Sequence, residues 1–152
     1  MFSLVLTDTI SDIILTKNNS EILELKKQYK AHFNQSLEEM IEPRTFTNFR
    51  QIILTVLKAN RSEEPVNYAM AVYHASELRE NKRHTFYKIF SINSFKQISL
   101  IDECYKNLTG HYLREVIENE LFSGWWWSNE RRALLTICKF FQIFFRIRTY
   151  FS

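Results

Sequence analysis

Few side chains in this sequence carry the spacing that catalysis needs. The histidines His32, His74, His84 and His111 share no metal-ligand spacing. There is no glycine-rich phosphate loop, nucleophile elbow or pair of catalytic acids, so enzyme activity is not expected. What remains is charge and aromatic surface. Arg79, Lys82, Arg83 and His84 crowd the stretch ELRENKRHTF, and Arg44 stands just after Pro43. Further on, GWWWSN sets Trp125, Trp126 and Trp127 side by side. Neighbours on a helix point about 100° apart, so three consecutive indoles cannot share one core face. At least one is expected at the surface.

Composition bounds what can position these groups. The chain has 152 residues, 45% of them hydrophobic and 24% charged, enough for one domain with a real core. It has only two Gly and two Pro. All-β sandwiches and nucleotide-binding α/β folds spend glycine freely on turns and phosphate loops, so helices joined by short polar links are expected instead. The formal charge of +3 allows an anionic partner without demanding one. Nucleic acid would want a larger basic excess on one face and is not expected. Cys104 and Cys138 lie on apolar helical stretches and read as reduced, buried thiols of a cytosolic protein. MFSLVLTDTI lacks a basic n-region, so no signal peptide is read, and the Asn-x-Ser/Thr matches at Asn18, Asn34, Asn60 and Asn107 read as chance. No apolar run reaches the roughly 18 residues that a membrane span needs.

The helices can be placed by period and punctuation. Ile10, Ile13 and Ile14 form a short stripe, and Asn18, Asn19 and Ser20 supply a break and a cap. Ile22, Leu25, Tyr29 and Phe33 share one helical face. Ser36 with Glu39 forms a capping-box pattern that opens a new helix, and Pro43 ends it. Phe49, Ile52, Ile53, Val56 and Leu57 mark another amphipathic helix. SEEPVN is the clearest linker, and five further helical segments follow it.

The second half repeats the first. Ile22, Leu25, Tyr29, Leu37 and Ile41 match Ile98, Ile101, Tyr105, Leu113 and Ile117, each 76 residues later, and Ile10 and Ile13 match Phe86 and Ile89. ILTVLK then matches LLTICK at an offset of 81, which makes WWWSN a five-residue insertion. A register shared across several helices indicates two copies of one helical unit.

On these residues the chain resembles the annexin family. The isoleucine-leucine helix, SEILELKKQYKAHF, Ser36-Leu37 with Ile41, RTFTNF and ILTVLKANR follow the order of an annexin repeat. FYKIFSINSFKQISLIDECYKNLTGHYLREVIENELFSG resembles a later repeat, and HASEL before it resembles the family's Ala-Gly-Glu turn. The resemblance covers roughly residues 8–140. It implies an all-α fold of annexin-like right-handed superhelical repeats of about five helices each. The expected division is a repeat lacking its first helix at 1–61, a linker at 62–66, a second repeat carrying the WWWSN insertion at 67–145, and a tail at 146–152. Annexins normally carry more such units than these two.

The resemblance further implies calcium-dependent, peripheral binding of a cytoplasmic protein to anionic phospholipid. In the family, calcium is held by a Gly-x-Gly-Thr loop and by an acid in the turn before the last helix. Most of these positions are degenerate here. The first unit reads SLVLTDT at the loop and Arg44 at the acid, and a guanidinium has no lone pair to give a cation. The second unit keeps Glu120 as a weak candidate ligand, in the ~10⁻³ M regime of low-charge sites, opposite a loop without glycine. Calcium dependence is therefore expected to be weakened or lost. Arg44, Lys82 and Arg83 would supply direct, salt-sensitive contact with lipid, each cation contributing on the order of 1 kcal/mol. Trp125, Trp126 and Trp127 would either enter the interfacial zone or pack back on the domain. The tail KFFQIFFRIRTYFS could lie on a membrane or be an aggregation-prone end left bare by a missing partner. A homodimer or another annexin-like chain is a possible partner. The alternative function is a helical protein-interaction module without lipid binding.

Overall fold

The computed structural model describes the backbone of residues 2–151 and the side chains of residues 7–143 and 146. Among the described residues the regular structure is entirely helical. Before the linker come α1 (Phe2–Ile14), α2 (Asn19–Phe33), α3 (Leu37–Ile41) with a 3-10 turn at Glu42–Arg44, and α4 (Thr47–Leu57). After it come α5 (Tyr68–Leu78), α6 (Arg83–Ile92), α7 (Phe95–Thr109) and α8 (Leu113–Val116), which widens into a π turn at Ile117–Leu121. A 3-10 turn at Trp125–Trp127 leads into α9 (Ser128–Phe151).

Local chemistry starts these helices where the sequence places their caps. Asn18 and Ser36 each form a full capping box, with Glu21 and Glu39 reaching back to the cap backbone. Asn67 and Ser94 cap α5 and α7. The helix opened at Ser36 ends at Ile41, just ahead of Pro43. Pro43 sits in the first positions of the 3-10 turn that follows α3, where a residue without an N–H is tolerated. SLVLTDT, expected by resemblance to be the place of a loop, is part of α1.

The core is one cluster. Phe49, Ile52, Ile53, Val56 and Leu57 of α4 meet Phe86, Ile89 and Phe90 of α6 and Ala133, Leu134, Ile137, Cys138 and Phe141 of α9. The matched apolar positions are buried together at Ile22 and Ile98, Leu37 and Leu113, and Ile41 and Ile117. Ile13 departs from the pattern: it is 43% exposed, whereas Ile89 is buried. Leu25 and Tyr29 of α2 are only partly buried, whereas Ile101 and Tyr105 of α7 are buried. The reason is that α5 packs along α7. Among the described residues no helix covers α2 in that way. Cys104 and Cys138 are free and buried, as their apolar setting predicts.

Arg61 fastens the linker to the second half. Its Nη1 donates to the carbonyls of Phe90 (2.6 Å) and Asn93 (2.8 Å), and its guanidinium lies 4.6 Å from the Phe95 ring centroid. Its backbone N–H donates to Asn19 Oδ1 of α2 (3.0 Å). Burial lowers its pKa to about 10. Past residue 145 the backbone of α9 continues helical to Phe151 without a break. The side chains of the aromatic tail at 144, 145 and 147–152 lie outside the described residues.

Candidate functional site

The candidate site is an edge where several helix ends meet. α4, α6 and α9 begin there, and α5 and the α8 π turn end there. Two contacts bring the turns together. Arg83 Nε, at the start of α6, donates to the Leu121 carbonyl (2.9 Å), which joins the loop after α5 to the turn after α8. Thr47 Oγ1, at the start of α4, donates to Oε1 of Glu130 in the first turn of α9 (3.4 Å). Glu130 is buried, so this hydroxyl gives it a partner across the two halves.

The tryptophans divide. Trp125 and Trp126 are 71% and 74% exposed and stack on each other, with centroids 4.0 Å apart and planes 24° apart. Trp127 turns inward. It meets buried Phe122 edge-on at 6.5 Å, and Phe122 in turn packs on Phe86 and Tyr87. Gly124 makes the division possible: its φ of +95° reverses the chain ahead of the 3-10 turn, a conformation that L side chains rarely adopt.

The cations also divide. Arg44 is exposed, and its Nη1 donates back to the Met40 carbonyl at the end of α3 (2.7 Å). Lys82 is exposed at the cap position of α6 and pairs with Glu80 at 3.0 Å. Arg83 is different. Its guanidinium carbon lies 4.1 Å from the Trp127 ring centroid and 5.9 Å from that of Phe122, so it faces the turn rather than solvent. From the sequence, Arg83 is expected to meet lipid and Trp127 either to do the same or to pack back on the domain; in the structure each has the other as a close partner. Arg131 works from the opposite side, where its Nη1 donates to the Phe122 carbonyl (2.9 Å).

Glu120 is exposed in the π turn. Its own carbonyl accepts from the Ser123 hydroxyl (3.2 Å). Among the described residues no group of three His, Cys, Asp or Glu side chains is placed to hold a metal ion. One exposed residue carries no signal in the sequence. Phe46, in the turn after Arg44, is 65% exposed with Arg50 over its ring. Arg44 reads as charge and the next helix is marked only from Phe49, and nothing in the apolar period marks Phe46 as lying off the core face.

Helix order, paired registers and turns collected at one edge define an all-α superhelical repeat protein. The comparisons support a fragment similar to the annexin family. The Annexin family model matches residues 6–56. Annexin A13 of Mus musculus is 31% identical over 136 residues, covering 84% of this chain and 41% of that protein. Among solved structures, annexin III superposes with a TM-score of 0.79 at 24% identity, over 90% of this chain and 43% of that one. A calcium-bound annexin (Sm)1 gives 0.78 at 20% identity, over 88% and 43%. The annexin repeat fold thus extends through both halves. The chain spans about two-fifths of the length of the curated relatives it matches.

Proposed function

We propose that this chain attaches peripherally to anionic phospholipid surfaces through the edge described above, with calcium dependence weakened or lost. The observation that carries the reading is the exposed Trp125–Trp126 stack on the turn that Arg83 contacts through Trp127, with exposed Lys82 next to Arg83 in the chain and exposed Arg44 and Phe46 ahead of α4. Indoles favour the interfacial zone of a bilayer, and cations beside them favour its anionic headgroups. The division into a shorter repeat at 1–61 and a fuller one at 67–145 accounts for this edge, because each repeat contributes the turn before its last helix.

Calcium fits the edge poorly. Glu120 offers one carboxylate. The carbonyls of Leu121 and Phe122 beside it accept from Arg83 and Arg131, and two guanidinium groups at that range repel a divalent cation. At the corresponding place in the first half stands Arg44.

Co-sedimentation with phosphatidylserine-containing liposomes tests the reading in three arms: with calcium, with chelator, and with chelator at raised salt. Binding that survives chelator and falls with salt supports it. Binding that appears only with calcium overturns the metal-independent part. No binding in any arm overturns the lipid reading and favours a helical protein-interaction module, to which the exposed Tyr68, Met70, Val72 and Tyr73 of α5 lend support.

A further inference from the structure

We infer that Arg83 is a built-in cation that holds the tryptophan turn in its outward-facing shape, doing for this chain what a bound metal ion would do in drawing the two loops together. The inference rests on the lipid reading only for its purpose; the clamp itself is a matter of contacts within the chain.

Three groups meet at Arg83, and each limits a different freedom. The hydrogen bond from Nε to the Leu121 carbonyl fixes the end of the π turn against the start of α6. The stack on Trp127 fixes the indole at the end of the following 3-10 turn. Phe122, fully buried between these two contacts, anchors the turn to the core through Phe86 and Tyr87. Arg131 closes the far side through the Phe122 carbonyl, with a longer approach of 3.5 Å to that of Gly124. With Trp127 held inward and Gly124 reversing the chain, Trp125 and Trp126 have only the outer side left, and they stack there. A guanidinium suits this role. It is planar, so it can lie on an indole while its edge donates to a carbonyl, and it keeps its charge at every physiological pH. Lysine matches the charge but not the plane.

The clamp predicts that the exposed indole pair is assembled before any ligand arrives and without calcium. The test uses the full chain free in solution. Two stacked indoles give an exciton couplet in circular dichroism, and Trp127 packed on Phe122 gives blue-shifted emission. In the wild-type protein both signals are expected in chelator, unchanged by millimolar calcium. Arg83→Ala is expected to lose the couplet and shift the emission to the red while the helical signal stays. Arg83→Lys is expected to fail to restore either one. Vesicle binding of Arg83→Ala in chelator is expected to fall about fivefold. A wild-type couplet that needs calcium overturns the inference, as does a couplet that persists in Arg83→Ala. If the solution signals behave as expected and wild type ignores vesicles, the clamp stands and the lipid reading falls.

Discussion

Asn34 and Gly110, 76 positions apart in the sequence, close their helices in the same left-handed conformation, with φ of +52° and +85°. In each case the cap N–H donates to the carbonyl four residues back, at Lys30 and at Lys106. Asparagine tolerates this region and glycine is at ease in it, but other side chains are not. No heavy atom lies within 4 Å of a Cβ built on Gly110, so alanine there meets strain rather than a clash. Gly110→Ala is expected to lose about 1–2 kcal/mol of stability, while Gly110→Asn loses less. Urea denaturation of the two variants beside wild type measures the difference.

Asp102 should make stability fall as pH rises. It is buried in α7, where its Oδ1 accepts from the Leu113 backbone N–H at 2.8 Å. Burial raises its pKa from 3.8 to about 6; Glu103 and Glu115 add to the rise, and the Leu113 N–H and Lys106 oppose it. Between those two values the folded protein keeps a proton that the unfolded chain has released. Asp102 therefore lowers stability as pH climbs through the window, and its effect is level above it. An asparagine side chain in its place would still accept from Leu113 without carrying charge. Asp102→Asn is expected to gain up to ~3 kcal/mol at neutral pH and nothing at pH below the window. Thermal melts of both proteins across the window check the divergence; parallel curves would remove Asp102 as its source.

The paired tryptophans should carry much of any lipid affinity. Burying the apolar part of one exposed indole is expected to contribute on the order of 1–2 kcal/mol. Trp125→Ala and Trp126→Ala should each weaken binding to anionic vesicles about tenfold and leave thermal stability unchanged within ~0.5 kcal/mol. Quenching of tryptophan fluorescence by bromine-labelled lipid reports whether the indoles enter the bilayer. Equal quenching in wild type and in the double alanine variant would exclude them.

Charge reversal addresses the exposed cations. Arg44→Glu and Lys82→Glu should each lower affinity for anionic vesicles by ~2 kcal/mol at low salt and by less at high salt. Lys82→Glu also places another carboxylate near Glu80, so its stability should be measured alongside. An effect on neutral vesicles as large as on anionic ones would argue against a headgroup contact.

Much of the architecture is legible in the sequence because it is local. Ser36 and Glu39 satisfy each other three residues apart, and the stripe from Phe49 to Leu57 faces inward wherever the helix is placed. The match between the two halves is legible for a related reason: the same short-range rules are written twice. What escapes depends on distance. Nothing near Arg83 in the chain shows that Leu121 and Trp127 will close over it, so it reads as one more surface cation. Trp125, Trp126 and Trp127 are chemically identical, and which of them turns inward depends on Gly124, Phe122 and the distant Arg83. Phe46 is exposed because Thr45, its neighbour, takes the inward position and donates its hydroxyl to the Ile41 carbonyl. Family resemblance assigns a loop to SLVLTDT, but the helix that carries the Ile10, Ile13 and Ile14 stripe runs back through it to Phe2.

The lodging of Arg61 means that the two halves are not beads on a string. The residue belongs to the first half by sequence and to the second by contact, since the carbonyls it satisfies are those of Phe90 and Asn93. A second half excised at the linker would leave those acceptors bare, and a first half cut at the same place would end in an orphaned cation. The pair should therefore melt in a single transition, and swapping either half between relatives should succeed only when this arginine travels with the partner that shelters it.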